Sequence, residues 1–202
     1  MEIMVNFLKN NIEKFEFKGD REYLTGADIF SFFIGSTSPL YNLTIQFHKI
    51  TEKKLSIQTI KTADLKAMRD NNQVCALLSH KNLKNGTVMV AVETEDNIVD
   101  RVPYNEEGIL RGAIIFDGII TQNESFNGDF IDRIVALNKM LLNNIVEPNE
   151  WIFSRIDLDS ASVNPQKISI KMERGIGGRI YQSSIMGDDK FLGTIYFSRN
   201  MA

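Results

Sequence analysis

Residues 123–145, NESFNGDFIDRIVALNKMLLNNI, limit the possible folds more than any other stretch. Apolar residues fall at Ile131, Ile134, Val135, Leu137, Leu141, Leu142 and Ile145, the spacing of a helix with one broad apolar face. Gly128 stands at its start, with Asp129 and Asp132 in the first turn, where carboxylates suit the positive end of a helix. Pro148 closes the stretch, and only strand patterns follow, at 151–158, 168–172, 179–186 and 191–198. Gly177-Gly178 and Gly187-Asp188-Asp189 supply turns between them. A helix with so wide an apolar face, followed by strands alone, has to lie on a sheet.

The same succession occurs earlier in the chain. Residues 3–14 are expected to form a short helix, with Ile3, Val5, Phe7, Leu8 and Ile12 as its apolar set, and KFEFK at 14–18 alternates as a strand. Thr25, Gly26 and Asp28 then lead into Ile29, Phe30, Phe32, Phe33 and Ile34, a short helix apolar on nearly every side and so expected to be wrapped by other structure. Strand patterns follow at 41–47, 55–60, 74–79 and 87–93, with a capped helical turn at 62–69 and a hairpin signal at Asn85-Gly86. The polar segment 94–108, with Pro103, reads as a connection, and strand patterning resumes over 109–121, broken at Gly112 and Gly118. Each half therefore reads strand, helix, four strands. REYLTGADIF also aligns with NESFNGDFID without a gap, setting Glu22 on Glu124, Leu24 on Phe126, Gly26 on Gly128 and Ile29 on Ile131. The pattern predicts a duplication, with units at 1–100 and 101–202.

Composition narrows the function. With 202 residues and 43% hydrophobic content, the chain can bury a substantial core. A net charge of -3 and the lack of a dense basic run argue against nucleic acid as a partner. The single cysteine, Cys75, fits a reducing compartment, and the N-terminus shows no continuous apolar run of a signal peptide. No apolar run is long enough to span a bilayer, so the expected location is cytoplasmic, with no membrane partner. His48 and His80 are the only histidines and fall at polar strand positions. No spacing typical of metal ligands occurs, so no metal site is expected. Residues 175–178 do not complete a dinucleotide loop and read as a hairpin turn, and there is no G-x-S-x-G elbow.

A strand, a central helix and an antiparallel sheet wrapping that helix resembles the hot-dog fold. Two copies in one chain resemble a double hot-dog, an α+β fold, over roughly residues 15–199. The resemblance rests on element order and on the two glycine-led helices. It implies action on acyl thioesters of coenzyme A or an acyl carrier protein, with thioester hydrolysis the leading expectation. Dehydratase or acyltransferase chemistry on a carrier-bound chain is an alternative, as is non-catalytic binding of an acyl or hydrophobic ligand, or an adaptor role. It also implies that a backbone N–H at the start of a central helix polarises the thioester carbonyl, which makes Gly128 and Gly26 candidates. Glu124 is the favoured base, followed by Asp132 and Asp28, with Glu22 as the counterpart of Glu124. Asp129 reads as helix-start electrostatics. The histidine that the dehydratase branch places before its proline- and glycine-containing helix start is missing. No separate cofactor is expected, since coenzyme A or phosphopantetheine would arrive as part of the substrate. The chain would be a monomer or a homodimer.

Overall fold

The first long helix begins where a threonine can cap it. In the computed structural model, which describes residues 15–37, 40–123, 128–161, 163 and 165–200, Thr25 is extended. Its side chain accepts the Asp28 N–H, while the Asp28 carboxylate accepts the Thr25 N–H. This reciprocal box satisfies two donors that the helix itself cannot. The helix expected over residues 3–14 lies outside the described residues.

In chain order the elements are β1 (Glu16–Lys18), α1 (Gly26–Gly35), β2 (Tyr41–Phe47), β3 (Lys53–Lys61), a 3-10 turn (Thr62–Asp64) running into α2 (Leu65–Asp70), β4 (Val74–Ser79) and β5 (Thr87–Asn97). β6 (Asp100–Val102), α3 (Glu106–Ile109), β7 (Ile114–Phe116), β8 (Ile119–Gln122) and α4 (Phe130–Ile145) follow. The chain ends with β9 (Trp151–Ser160), β10 (Ile168–Ile176), β11 (Ile180–Gly187) and β12 (Lys190–Arg199).

Ten strands form one antiparallel sheet in the order β3-β5-β4-β2-β9-β12-β11-β10-β8-β7, so the fold is α+β. The two halves of the chain meet at the β2–β9 seam, with four strands on one side and six on the other, where Ile45 faces Ile156 and Tyr41 faces Ser160. β1 and β6 stand apart as a parallel pair. One apolar cluster joins α1, α4 and the inward side chains of the sheet, among them Phe33, Ile134, Leu137, Leu43, Ile156, Ile170 and Ile195. As its all-round apolar pattern predicts, α1 buries Ala27, Ile29, Phe30, Phe32 and Phe33. On α4 the apolar stripe is buried as expected at Ile131, Ile134, Leu137, Leu141 and Leu142, but Arg133 and Asn138 are buried with it.

Counted outward from the seam, the strands after α4 run β9-β12-β11-β10, whereas those after α1 run β2-β4-β5-β3. β3 and β4 both pair antiparallel with β5, so they point the same way, and their link must cross over β5. Residues 62–73 are long enough for that crossing. Leu65 and Met68 of α2 seal a second, small core of Val74, Val88, Val90 and Val92 on the far face of the sheet. β5 is thus buried on both sides, which explains its unbroken apolar run.

Within residues 109–121 the strand pattern holds from Ile114 onwards, as β7 and β8 broken at Gly118, but not over 109–113. Asn105 caps α3 by accepting the Gly108 N–H, and Ile109 ends that helix. Gly112 then turns the chain at φ 74°. The strands proper, β7 and β8, meet at Asp117 (φ 49°) and Gly118 (φ 70°), a two-residue type I′ turn. The segment read as a plain connection, 94–108, likewise carries the end of β5, all of β6 and the start of α3.

At Gly193 a Cβ would run into the Asp157 carbonyl oxygen and come within 2.9 Å of Leu158 Cδ2. Backbone cannot swing aside as a side-chain tip can. Gly193→Ala should therefore cost about 2 kcal/mol or more, seen as a fall in Tm of roughly 4–8 °C in a thermal melt.

Candidate functional site: the paired helix heads

α4 starts after Asp129, which is extended (φ -67°, ψ 133°) and whose side chain caps nothing. Asp132 is then the third residue after its cap position, as Asp28 is the third after Thr25. This frame differs by two residues from the gap-free alignment. Gly26 is the first residue of α1, whereas Gly128 lies before Asp129 and is exposed. Gly128 is therefore not in the first turn, and Asp129 is the cap residue. The letters align on glycines, but a helix start is fixed by which residue leaves helical geometry.

The two heads meet at one ammonium. Lys18 Nζ lies 2.8 Å from Asp28 Oδ1, and 2.7 and 2.9 Å from Asp132 Oδ2 and Oδ1. All three side chains are at most 17% exposed, so water screens them little. Burial pushes the Asp132 carboxyl above the usual carboxylate range; the Lys18 charge opposes this without cancelling it. Burial alone would lower the Lys18 pKa, but the Asp28 and Asp132 carboxylates outweigh it and hold the ammonium above its ordinary value.

Tyr104 covers this group from the loop between β6 and α3. Its ring lies 4.6 Å from the Arg21 guanidinium carbon and 5.8 Å from Lys18 Nζ. Burial, with the Asp132 and Glu106 carboxylates, pushes its phenol up to about 12. Glu106 links Arg21 (3.7 Å) to Lys139 of α4 (3.2 Å). On the other side of the α4 head, buried Arg133 donates to Gln122 Oε1 at 2.6 Å and to the carbonyls of Gln122, Pro165 and Gln166. The Gln122 amide donates in turn to the Ile109 and Arg111 carbonyls, both at 2.7 Å. Residues 109–111, Gln122 and residues 165–166 thus hold the start of α4 in place.

Of the residues singled out in the sequence, the structure brings Asp28 and Asp132 together. Gly26 packs so closely that a Cβ there would meet Phe153 Cδ1 at 2.7 Å, a packing reason for glycine. Glu22 is exposed, and Glu124 lies outside the described residues. His48 contacts Arg69 at 2.8 Å, and His80 accepts the Asn82 N–H. Of two surface hollows, one of about 240 Å³ runs along β2, β9 and β12, and one of about 210 Å³ lies between α3 and α4, lined in part by Glu106 and Lys139. Among the described residues, no group of three or more His, Cys, Asp or Glu is placed to hold a metal ion, and no helix is long and apolar enough to cross a membrane.

Lys18, Tyr104, Gln122 and Arg133 were not legible as site residues. Lys18 ends a strand whose alternation puts it opposite Phe17, on the face expected to meet water. Its partner Asp132 is 114 residues away, and no local pattern reports such a pair.

Two outcomes follow from this electrostatics. Lys18→Met leaves two little-exposed carboxylates facing each other without a cation, and should cost about 3 kcal/mol at neutral pH. A carboxyl whose folded pKa lies above its unfolded one loses stability as pH rises. The Lys18→Met penalty should therefore shrink towards about pH 4 in urea unfolding. For Tyr104, the folded value of about 12 lies above the unfolded 10.0, so its contribution is whole below pH 10 and is lost as pH rises towards 12. Tyr104→Phe should flatten the alkaline fall in stability between about pH 10 and about pH 12.

No protein-family model matches the sequence, and no curated protein matches it. Among solved structures, the chain is similar to the dehydratase domain of RzxB from Pseudomonas fluorescens, at 9% identity and TM-score 0.40, over 91% of this chain and 92% of that one. It is similar to a proposed thioesterase II from Thermobifida fusca, at 7% identity and TM-score 0.47, over 91% and 90%. It is also similar to the acyl-CoA thioesterase II TesB2 from Mycobacterium marinum, at 8% identity and TM-score 0.37, over 85% and 84%. At 7–9% identity the likeness is one of fold alone.

Proposed function

We propose that the chain is a pair of fused hot-dog-like units, residues 1–100 and 101–202, that binds an acyl thioester of coenzyme A or an acyl carrier protein and hydrolyses it. The observation that carries this reading is the inequality of the two helix heads. The α1 head is closed on itself by the Thr25–Asp28 box, while the Asp129 side chain caps none of the first-turn amides of α4. Those amides carry the partial positive charge of the helix and suit a thioester carbonyl oxygen. Donors aimed at the oxyanion that develops there contribute about 3 kcal/mol to lowering the barrier.

In this reading, water attacks the carbonyl carbon, a carboxylate takes the proton, and the thiolate leaves with a proton returned to it. Asp132 is the described group nearest that task, since burial raises its proton affinity. Glu124 keeps the same candidacy from sequence alone. Asp28 is committed to its capping box and to Lys18. Coenzyme A or phosphopantetheine enters with the substrate, and no further cofactor is invoked. A cytoplasmic setting belongs to the same reading and is supported by the single, buried thiol of Cys75, which burial pushes up to about 11.

Release of free thiol from a panel of acyl-CoA and acyl-carrier substrates tests the proposal. Turnover should appear, and Asp132→Asn or Glu124→Gln should lower kcat by about 100-fold or more. Undiminished turnover in both variants would remove the base assignment. A second reading, acyl binding without chemistry, draws on the Lys18–Asp132 ion pair, because a carboxylate held by an ammonium is a poor base. Saturable binding with no thiol release from any substrate would establish it in place of hydrolysis.

A further inference from the structure

The two outer edges of the ten-stranded sheet are guarded differently. β3, at one end, carries Lys53, Lys54 and Lys61, and charges of this kind keep an edge from pairing with another chain. β7, at the other end, reads Ile-Ile-Phe, with Ile114 65% and Phe116 80% exposed. Both point away from the core, and Ile115 packs inward. So large an apolar exposure on an open strand edge is unusual for a surface that meets only water.

Hydrogen-bond phase fixes what this edge can accept. Phe116 and Ile119 flank the two-residue turn, so they form a hydrogen-bonded pair, and so do Ile114 and Thr121. Ile115 and Ile120 form the intervening pair that exchanges no bonds, so the Ile115 N–H and C=O face outward from the sheet.

We propose that β7 is the contact between two copies of this chain, paired antiparallel about a twofold axis at Ile115. In that register the two Ile115 residues exchange both backbone hydrogen bonds. Ile114 of each copy falls opposite Phe116 of the other, as close cross-strand pairs on the outer face. The register is self-complementary in charge as well. The N-terminal side of one β7 meets the C-terminal side of the other, bringing exposed Arg111 of one copy towards exposed Asp117 of its mate. No other register of this strand on itself sets every apolar side chain against an apolar one and opposes these charges. The sheet then runs unbroken through both molecules. With so short a strand the interface is small, and the dimer is of the weak, concentration-dependent class.

Sedimentation velocity on the full chain from about 1 to about 500 µM tests this. The dimer fraction should rise with concentration, and Ile114→Lys/Phe116→Lys should raise the dissociation constant at least tenfold. The variant's far-UV spectrum should be unchanged, since both side chains already face solvent. Amide hydrogen exchange gives an independent reading on the unaltered protein, where the Ile115 N–H should slow as concentration rises. A protein monomeric throughout the range, a dimer undisturbed by the two lysines, or an Ile115 amide whose exchange ignores concentration would each overturn the proposal.

Discussion

Bringing two helix amino ends together sets two regions of partial positive charge against each other, and every other feature of the central region answers to that repulsion. Each helix meets its own end with an aspartate at the third position, Asp28 or Asp132. Two carboxylates sheltered from water would then repel in their turn, and the Lys18 ammonium between them restores balance. The chain of compensation is why a three-residue strand, β1, is kept beside the main sheet: it delivers the lysine. Tyr104 and the Arg21–Glu106–Lys139 links cover the same group and fasten it to the side of α4.

The α4 head is held by bonds that the Arg133 and Gln122 side chains make to neighbouring segments. Arg133 and Gln122 saturate four backbone carbonyls around it, besides the Gln122 carbonyl itself, so the helix start is anchored from beneath. None of those bonds uses the first-turn amides of α4. The α1 head spends its capping capacity internally, through side chains three residues apart. Two helix starts that look alike in sequence thus have different chemical prospects.

Local chemistry is what made parts of this architecture legible. The apolar stripe from Ile131 to Leu142, the closing turn at Gly177-Gly178 and the all-round apolar face of α1 each announce themselves within a few residues, because burial and turn geometry act at that range. Asp28 and Asp132 could be picked out as helix-start carboxylates for the same reason. The exchange of β4 and β5 in the first sheet segment could not, since β4 and β5 have strand patterns whichever neighbour they choose. Nor could Lys18 or Arg133, whose partners belong to distant strands and loops. Residues 109–113 misled for a third reason: a helix cap at Asn105 and a left-handed glycine at 112 overrode an apolar run that favours strand.

The β2–β9 seam has a bearing on how the chain is made. β2 pairs on one side with β4, fewer than forty residues along, but on the other with β9, whose first residue follows more than a hundred later. On the ribosome, the early strands emerge with one flank of β2 bare, and its inward Leu43 and Ile45 wait for Ile156 and Leu158 to be synthesised. Non-local pairing of this kind slows folding and leaves a nascent edge open to the wrong mate. β9 therefore covers the flank that β2 leaves bare, and a chain cut short before residue 151 would carry that flank into solution.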